Sequence, residues 1–146
     1  MKKIEITAYD LAQRFVGTRE VGGVANNAQV LAMLQLDESW PKSDEVPWCS
    51  AFVNYIAWLL RLPRSKSLMA RSWLNVGLPI PLNDATPGFD VVIFWRGSRT
   101  ATTGHVAFYG GITEKGVLAL GGNQSDSVSL AEFPVSQILG MRRLLS

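Results

Sequence analysis

The chain has a single cysteine and a single histidine, and each lies where a catalytic residue could work. Cys49 stands at the predicted start of a helix, where unsatisfied backbone N–H groups and the helix dipole stabilise a thiolate over a thiol. His105 follows a glycine in a β-type run and could act as the base for that thiol. An unpaired cysteine is more often a small buried apolar residue, so the hypothesis of a nucleophile depends on the elements that position the pair.

A helix is predicted for residues 48–61, because apolar side chains recur there at helical spacing and Pro63 ends the pattern. Pro47 suits the first helical position, where its missing N–H loses no hydrogen bond. Cys49 then lies in the first turn of its helix. Other helices are predicted at about residues 8–16, from about residue 27, and at residues 67–76.

The second half of the chain has the pattern of β-strands. Residues 91–95 form a continuous apolar run of the kind that a central strand needs. Helices followed by strands with short turns predict one α+β domain, residues 1–146. In it, the helix that begins near Cys49 packs on an antiparallel sheet of about five strands. The other strands are predicted at about residues 105–111, 116–120, 127–133 and 139–144.

The histidine strand has two distinct faces. Side chains alternate along a strand, so His105 shares one face with Ala107 and Tyr109. Val106 and Phe108 then take the other face. If the face of His105 is turned to the cysteine helix, the imidazole and the thiol can meet where helix and sheet join.

An imidazole that acts as a base needs a polar group at its other ring nitrogen, which fixes its tautomer. Asn123 is the candidate, because it stands at the end of the strand predicted to neighbour the histidine strand. Gln124 and Asp126 are the competing candidates. Asparagine and aspartate beside glycines are also ordinary turn residues, which is the alternative explanation of this stretch.

Composition and charge exclude several other functions. With 47% hydrophobic and 18% charged residues, the chain is expected to fold around a core. Its net charge is only +2 and no cluster of Lys and Arg is interleaved with aromatic residues, so nucleic acid is not an expected partner. One cysteine with one histidine cannot bind zinc without several carboxylates, so no metal or cofactor is expected.

The N-terminal sequence lacks the apolar core of a signal peptide, because charged residues interrupt it. No run of residues approaches the length and apolar character of a membrane span, so no membrane insertion is expected. We therefore expect synthesis in the cytoplasm without a signal peptide. Any work outside the cytoplasm would need another route across the membrane.

Four segments of the sequence resemble the papain-like peptidoglycan hydrolases, which include the NlpC-type peptidases and the CHAP amidase/peptidase domains. The resemblance is closer to a compact, single-domain family of bacterial and phage proteins in that group, and it extends from about residue 17 to about residue 142. It implies a papain-like fold in which Cys49 attacks an amide carbonyl, His105 shuttles the proton and Asn123 orients His105. The segments are residues 45–54, 70–74, 104–109 and 120–126.

The resemblance also implies a substrate, the stem peptide of peptidoglycan. A cysteine endopeptidase or an N-acetylmuramoyl-L-alanine amidase would cleave it through a thioester acyl-enzyme. The leading settings are a phage lysis enzyme and a delivered antibacterial toxin, and tail-associated and wall-remodelling roles stay open. The protein would act on the wall after release or delivery, as a monomer, and a toxin would have an immunity or inhibitor protein as a partner.

Two departures limit what the resemblance implies. Many CHAP domains have an aspartate-rich calcium loop and a glutamine just before the cysteine, and residues 46–48 contain neither feature, so neither calcium nor a glutamine oxyanion donor is expected. A backbone N–H of Cys49 or Ser50 is the natural oxyanion donor instead. The third residue of NlpC-type sites is often histidine, whereas asparagine follows the CHAP and papain pattern. The alternatives are a catalytically silent papain-like binding module and a thiol acyltransferase.

Overall fold

Helices occupy the first part of the described chain and β-strands the second. The structure is a computed structural model that describes residues 2–23 and 25–145. No helix within these ranges has the length and apolar character needed to cross a membrane. The α-helices are α1 (Ala8–Gln13), α2 (Ala28–Leu34) and α3 (Cys49–Leu59), and short 3-10 helices lie at Ala70–Asn75, Leu82–Asp84 and Val135–Gln137. The strands are β1 (Leu78–Pro79), β2 (Asp90–Trp95), β3 (Gly104–Thr113), β4 (Gly116–Gln124), β5 (Ser127–Phe133) and β6 (Ile138–Arg143).

The strands form one antiparallel sheet in the order β1-β6-β2-β3-β4-β5. The prediction of an α+β fold, with the cysteine helix packed on an antiparallel sheet, is confirmed. The sheet has six strands rather than about five. The additional strand is the two-residue β1, which pairs with β6 through Leu78 and Arg143 and is too short to show an alternating pattern in the sequence.

The helix α3 packs on the face of the sheet that carries Val106 and Phe108. The rings of Phe52 and Phe108 meet edge to face, with their centroids 6.1 Å apart. The apolar stripe of α3 needs apolar partners, and Val106 and Phe108 of the sheet provide them. The face that carries His105 and Ala107 therefore points away from α3, so the orientation that we considered for the histidine strand is wrong.

The start of α3 lies later than the sequence predicts. The helix begins at Cys49, with Trp48 as its N-cap, and Pro47 lies outside it rather than at the first helical position. Trp48 makes no side-chain hydrogen bond to the helix, and the N–H of Phe52 bonds the carbonyl of Trp48 at 3.0 Å. The N–H groups of residues 49–51 therefore have no acceptor inside the helix.

A buried carboxylate fixes the loop that leads into α3. Asp44 is 0% exposed and accepts hydrogen bonds from the N–H groups of Val21 (2.6 Å), Gly22 (3.0 Å) and Asn27 (2.6 Å). Burial acts to raise the pKa of Asp44, but these N–H donors outweigh it and leave the pKa below its ordinary value. The loop before Cys49 is thereby tied to the segment that precedes α2.

A glycine allows β4 to approach the start of α3. A Cβ atom at Gly122 would lie 2.8 Å from Cβ of Phe52 and 2.8 Å from ring carbons of Trp48. Both of these side chains are fully buried, so neither has room to move. The contact fixes the end of β4 directly behind the helix turn that contains Cys49.

The substitution Gly122→Ala is expected to lower the free energy of unfolding by about 1–3 kcal/mol, because the added methyl group overpacks a filled interface. Gly140→Ala is the matched control, since its Cβ would meet the end of the flexible Leu74 side chain at 2.9 Å. We expect a smaller loss there, and urea denaturation of both variants measures the difference. Equal losses would contradict the tight packing of β4 on α3.

Candidate active site

Cys49 lines an open cleft with a volume of about 340 Å³. The residue is only 6% exposed, so the cleft reaches the thiol without leaving it in bulk water. One wall comes from the segment after α3 and the other from the loop between β2 and β3. The lining residues are Pro47, Cys49, Leu68, Met69, Ala70, Arg96, Thr102, Thr103 and Gly104.

His105 is buried near the start of β3, where it is 1% exposed. Its ring stacks with those of Phe94 and Phe133, at centroid distances of 6.2 and 5.3 Å. Nε2 of His105 lies 2.9 Å from Oε1 of Gln124, whereas the buried Nδ1 has no hydrogen-bond partner among the described residues. Nε2 is therefore held by a hydrogen bond, whereas Nδ1 makes none to the described residues.

The side-chain amide of Gln124 is fixed by the backbone. Its Nε2 donates to the carbonyl oxygens of Ser129 (2.7 Å) and Ala119 (3.3 Å). Both amide hydrogens are thus engaged, and Oε1, which can only accept, faces His105. Nε2 of His105 must then carry the hydrogen, which leaves the lone pair of the neutral imidazole on Nδ1. This is the tautomer that can take a proton at Nδ1.

Gln124 holds His105, so the prediction that Asn123 orients the imidazole is wrong and a competing candidate takes its place. β4 has an irregular register between Gly121 and Gln124, where Asn123 adopts a φ of 59°. Strict alternation would place Gln124 on the α3 face with Gly122, but the bulge turns it to the face of His105. Gly121 leaves space for the amide, because a Cβ there would lie 2.7 Å from Oε1 of Gln124.

The thiol lies beside the backbone that flanks His105, near the point where the pairing of β3 with β4 ends. β3 pairs with β4 from Phe108 onward, whereas residues 104–107 pair with β2. The start of α3 lies at this edge, because Cys49 and Gly104 line the same cleft and the N–H of Val106 is near enough to the thiol to act on its pKa. The residues on both sides of His105 in the sequence therefore lie beside Cys49.

Burial raises the pKa of the Cys49 thiol above its ordinary value. The N–H of Val106, the charge of Arg96 and the N–H groups of Ser50 and Cys49 act in the opposite direction, but burial prevails. The expectation that the start of the helix favours a thiolate at Cys49 is therefore wrong. The helix start does lower the pKa as expected, and the error lies in the desolvation of a thiol that is 6% exposed.

Burial also lowers the pKa of His105, to about 4, while Gln124 acts to raise it and Arg96 to lower it. The imidazole is thus neutral at pH 7. The resting pair consists of a protonated thiol and a neutral imidazole. A proton can move to Nδ1 as the sulfur attacks an electrophile, which is the behaviour of a general base.

Ser50 joins α3 to the segment that forms one wall of the cleft. Its hydroxyl donates to the carbonyl of Ser67 (2.6 Å) and accepts from the indole N–H of Trp73 (2.9 Å). Asn54 donates to the carbonyl of Ser67 (3.1 Å) and accepts from the N–H of Lys66 (3.0 Å). This buried network holds residues 65–73 against the helix that carries the nucleophile.

Arg71 fixes the opposite wall. Its guanidinium donates to the carbonyl oxygens of Thr103 (2.7 Å), Arg99 (2.7 Å) and Ser98 (2.8 Å). The sequence did not predict this role, nor the place of Arg96 in the cleft, because bonds to the backbone of a distant loop leave no residue pattern. Only the family resemblance marked the segment 70–74.

Metal-ligating side chains do not cluster in the part of the chain that the structure describes: no group of three or more His, Cys, Asp and Glu residues could hold a metal ion. The ionisable groups that line the cleft are those of Cys49 and Arg96. Of these two, the thiol is the group whose chemistry suits a nucleophile.

A cysteine at a helix start, a histidine on an adjacent strand and a polar residue on the next strand are arranged here in the papain-like fold of the NlpC/P60 proteins. NlpC1 from Trichomonas vaginalis is similar with a TM-score of 0.59 and 14% sequence identity, over 98% of this chain and 46% of its own. An NlpC/P60 family protein from Bacillus cereus ATCC 10987 is similar with a TM-score of 0.50 and 18% identity, over 67% of this chain and 32% of its own. These likenesses confirm the predicted papain-like, NlpC-type fold.

The chain spans less than half the length of either of these proteins. The sequence matches no protein-family model and no curated protein. The similarity to known proteins is therefore one of fold.

Substitution of Gln124 separates the two candidates for the residue that orients His105. We expect Gln124→Ala to lower a rate that depends on Cys49 by about 100-fold or more, because the imidazole loses its tautomer and orientation. Asn123→Gly is the matched control, since it removes the neighbouring side chain and keeps a residue that tolerates positive φ. Hydrolysis of purified peptidoglycan measures both variants. A large loss in Asn123→Gly with little change in Gln124→Ala would contradict the role of Gln124.

Proposed function

We propose that the protein is a cysteine peptidase or amidase that hydrolyses an amide bond in the peptide of bacterial peptidoglycan. The observation that carries this proposal is the position of Cys49 in a cleft, beside the residues that flank His105 in the sequence. The imidazole of His105 is neutral, and its Nδ1 has no hydrogen-bond partner among the described residues. The NlpC/P60-type fold supports the class of reaction. The resemblance of four sequence segments to wall hydrolases supports the substrate.

In the proposed reaction, Sγ of Cys49 attacks the carbonyl carbon of the amide while its proton passes to Nδ1 of His105. The N–H groups of residues 49 and 50, which have no acceptor inside α3, would stabilise the oxyanion of the tetrahedral intermediate. The imidazolium then gives its proton to the leaving amine, and a thioester remains on Cys49. Water, deprotonated by His105, hydrolyses the thioester and restores the thiol.

Because the imidazole of His105 is buried, it would take up the proton of the thiol and release it again within one turnover. With a pKa of about 4, His105 holds a proton at neutral pH only while a negative charge lies beside it. The attacking sulfur and the developing oxyanion provide that charge. Gln124 stabilises the transient imidazolium through Oε1 but cannot accept the proton itself, so the proton is returned to the leaving amine.

The biological setting is a further part of the proposal. A phage lysis enzyme and an antibacterial toxin delivered to a rival cell both require a small enzyme that cuts wall peptide. In either setting the protein would act on the wall after release or delivery. A toxin would in addition require an immunity or inhibitor protein that blocks the cleft at Cys49.

Incubation of purified peptidoglycan with the wild type, Cys49→Ala and Cys49→Ser tests the proposal. We expect the wild type to release peptide fragments and both variants to lose at least about 1,000-fold in rate, because the nucleophile is gone or weakened. Mass spectrometry of the fragments identifies the bond, since hydrolysis leaves one new amino and one new carboxyl end. Transfer of the acyl group to an added amine, without hydrolysis, would indicate an acyltransferase instead.

A catalytically silent binding module is the second candidate, because the thiol is 6% exposed and burial raises its pKa. In that case, the wild type and Cys49→Ala would bind peptidoglycan equally and neither would release fragments. The experiment uses proteins shown to be folded and cell walls of differing peptide composition. Equal binding without release of fragments would then contradict the proposal that the protein is an enzyme.

A further inference from the structure

The cleft beside Cys49 is lined by one positively charged side chain, which the proposed reaction does not use. Arg96 directly follows β2, its side chain is exposed, and it lines the cleft. The other lining residues are apolar or neutral. A substrate that enters the cleft therefore meets one charged side chain, close to the nucleophile.

The backbone of Arg96 is held by hydrogen bonds, whereas its side chain donates none to the described residues. The carbonyl of Arg96 accepts a hydrogen bond from the hydroxyl of Thr103 at 2.9 Å, and the residue forms a bridge with Ser98. Arg71, by contrast, uses its guanidinium to hold the same loop through three backbone carbonyls. Arg71 thus holds the loop, and the guanidinium of Arg96 donates no hydrogen bond to another described residue.

No carboxylate of the described residues forms an ion pair with Arg96, whereas Arg64 and Arg143 are paired with Asp37 and Asp90. The charge of Arg96 nevertheless acts on the reacting groups. Arg96 lines the same cleft as Cys49, and its charge acts to lower the pKa of Cys49 and the pKa of His105. An unpaired arginine in this position is available to a negatively charged group of the substrate.

We propose that Arg96 binds a carboxylate of the substrate next to the scissile amide, so that the enzyme selects peptides with a free carboxylate over the same peptides with a carboxamide. The inference rests on the proposed function and names the substrate class of that site. A guanidinium forms two parallel hydrogen bonds to a carboxylate and only weaker, neutral ones to an amide oxygen. Wall peptides contain acidic residues, so such a partner exists in the proposed substrate.

The two walls of the cleft differ in character. Leu68, Met69 and Ala70 line the cleft on one side, and Thr102 and Thr103 line it on the other. A peptide between them would place one side chain against the apolar wall and an adjacent carboxylate at Arg96. Arg96 would act as a specificity residue and not as a catalytic one, because it takes no part in the proton transfers.

Two synthetic peptides test this inference. They are identical except that one has a free carboxylate next to the scissile amide and the other has a carboxamide in its place. For the wild type, we expect kcat/KM for the carboxylate peptide to exceed that for the carboxamide peptide by about 10- to 100-fold at low salt. Arg96→Met should bring the ratio close to one, through a larger loss of kcat/KM on the carboxylate peptide than on the carboxamide peptide. The effect of Arg96 on the pKa of His105 is common to both peptides and cancels in the ratio.

Arg14→Met is the matched control, because Arg14 is exposed at the end of α1 and does not line the cleft. It removes the same charge and should leave the ratio unchanged. Added salt should reduce the preference of the wild type and have little effect on Arg96→Met. Circular dichroism verifies that both variants are folded.

Two outcomes would overturn the inference while the proposed function stands: a wild type that cleaves both peptides equally, or an Arg96→Met variant that loses rate equally on both. If the wild type cleaves neither peptide, the proposed function fails, and calorimetric binding to Cys49→Ala then tests Arg96 alone. Tighter binding of the carboxylate peptide, abolished in the double variant with Arg96→Met, would support the inference. Equal binding of the two peptides would overturn it.

Discussion

The hydrogen bond between Nε2 of His105 and Oε1 of Gln124 determines what the site can do. The amide is held by carbonyl oxygens of β4 and β5, so the sheet itself specifies which ring nitrogen carries the hydrogen. An amide cannot take the proton that a carboxylate in the same place could accept. Nδ1 is therefore the nitrogen at which the proposed base would take a proton, and burial between aromatic rings keeps the imidazole neutral at pH 7.

A local irregularity of the sheet makes this arrangement possible. The bulge near Asn123 turns Gln124 to the face of His105, and the separation of β3 from β4 opens the edge where α3 begins. Gly121 and Gly122 provide the space on the two faces of β4, one for the amide and one for the side chains of the helix turn. The thiol thus lies beside the backbone of Gly104 and Val106 at the edge of β3, while the imidazole of His105 belongs to the face of the sheet that points away from α3.

The features that depend on local patterns could be predicted from the sequence. Apolar periodicity and turn residues indicated the α+β order, the helix that begins at Cys49 and the strand that carries His105. The choice between Asn123 and Gln124 depends on one bulge, and a register shift of this kind leaves no periodic signal. The state of the thiol depends on how much water the fold removes from it, which helix-start electrostatics alone does not predict. The catalytic roles of these residues and the peptidoglycan substrate stay proposals.

Since the chain has one histidine, NMR of protein labelled with 15N-histidine measures the state of both ring nitrogens without ambiguity. The central claim is that the buried His105 is a neutral base with its hydrogen on Nε2. The account predicts that Nε2 is protonated and Nδ1 is not at pH 7, and that the imidazolium forms only as the pH falls to about 4. A hydrogen on Nδ1 at pH 7, or a titration near the ordinary value of 6.5, would contradict it.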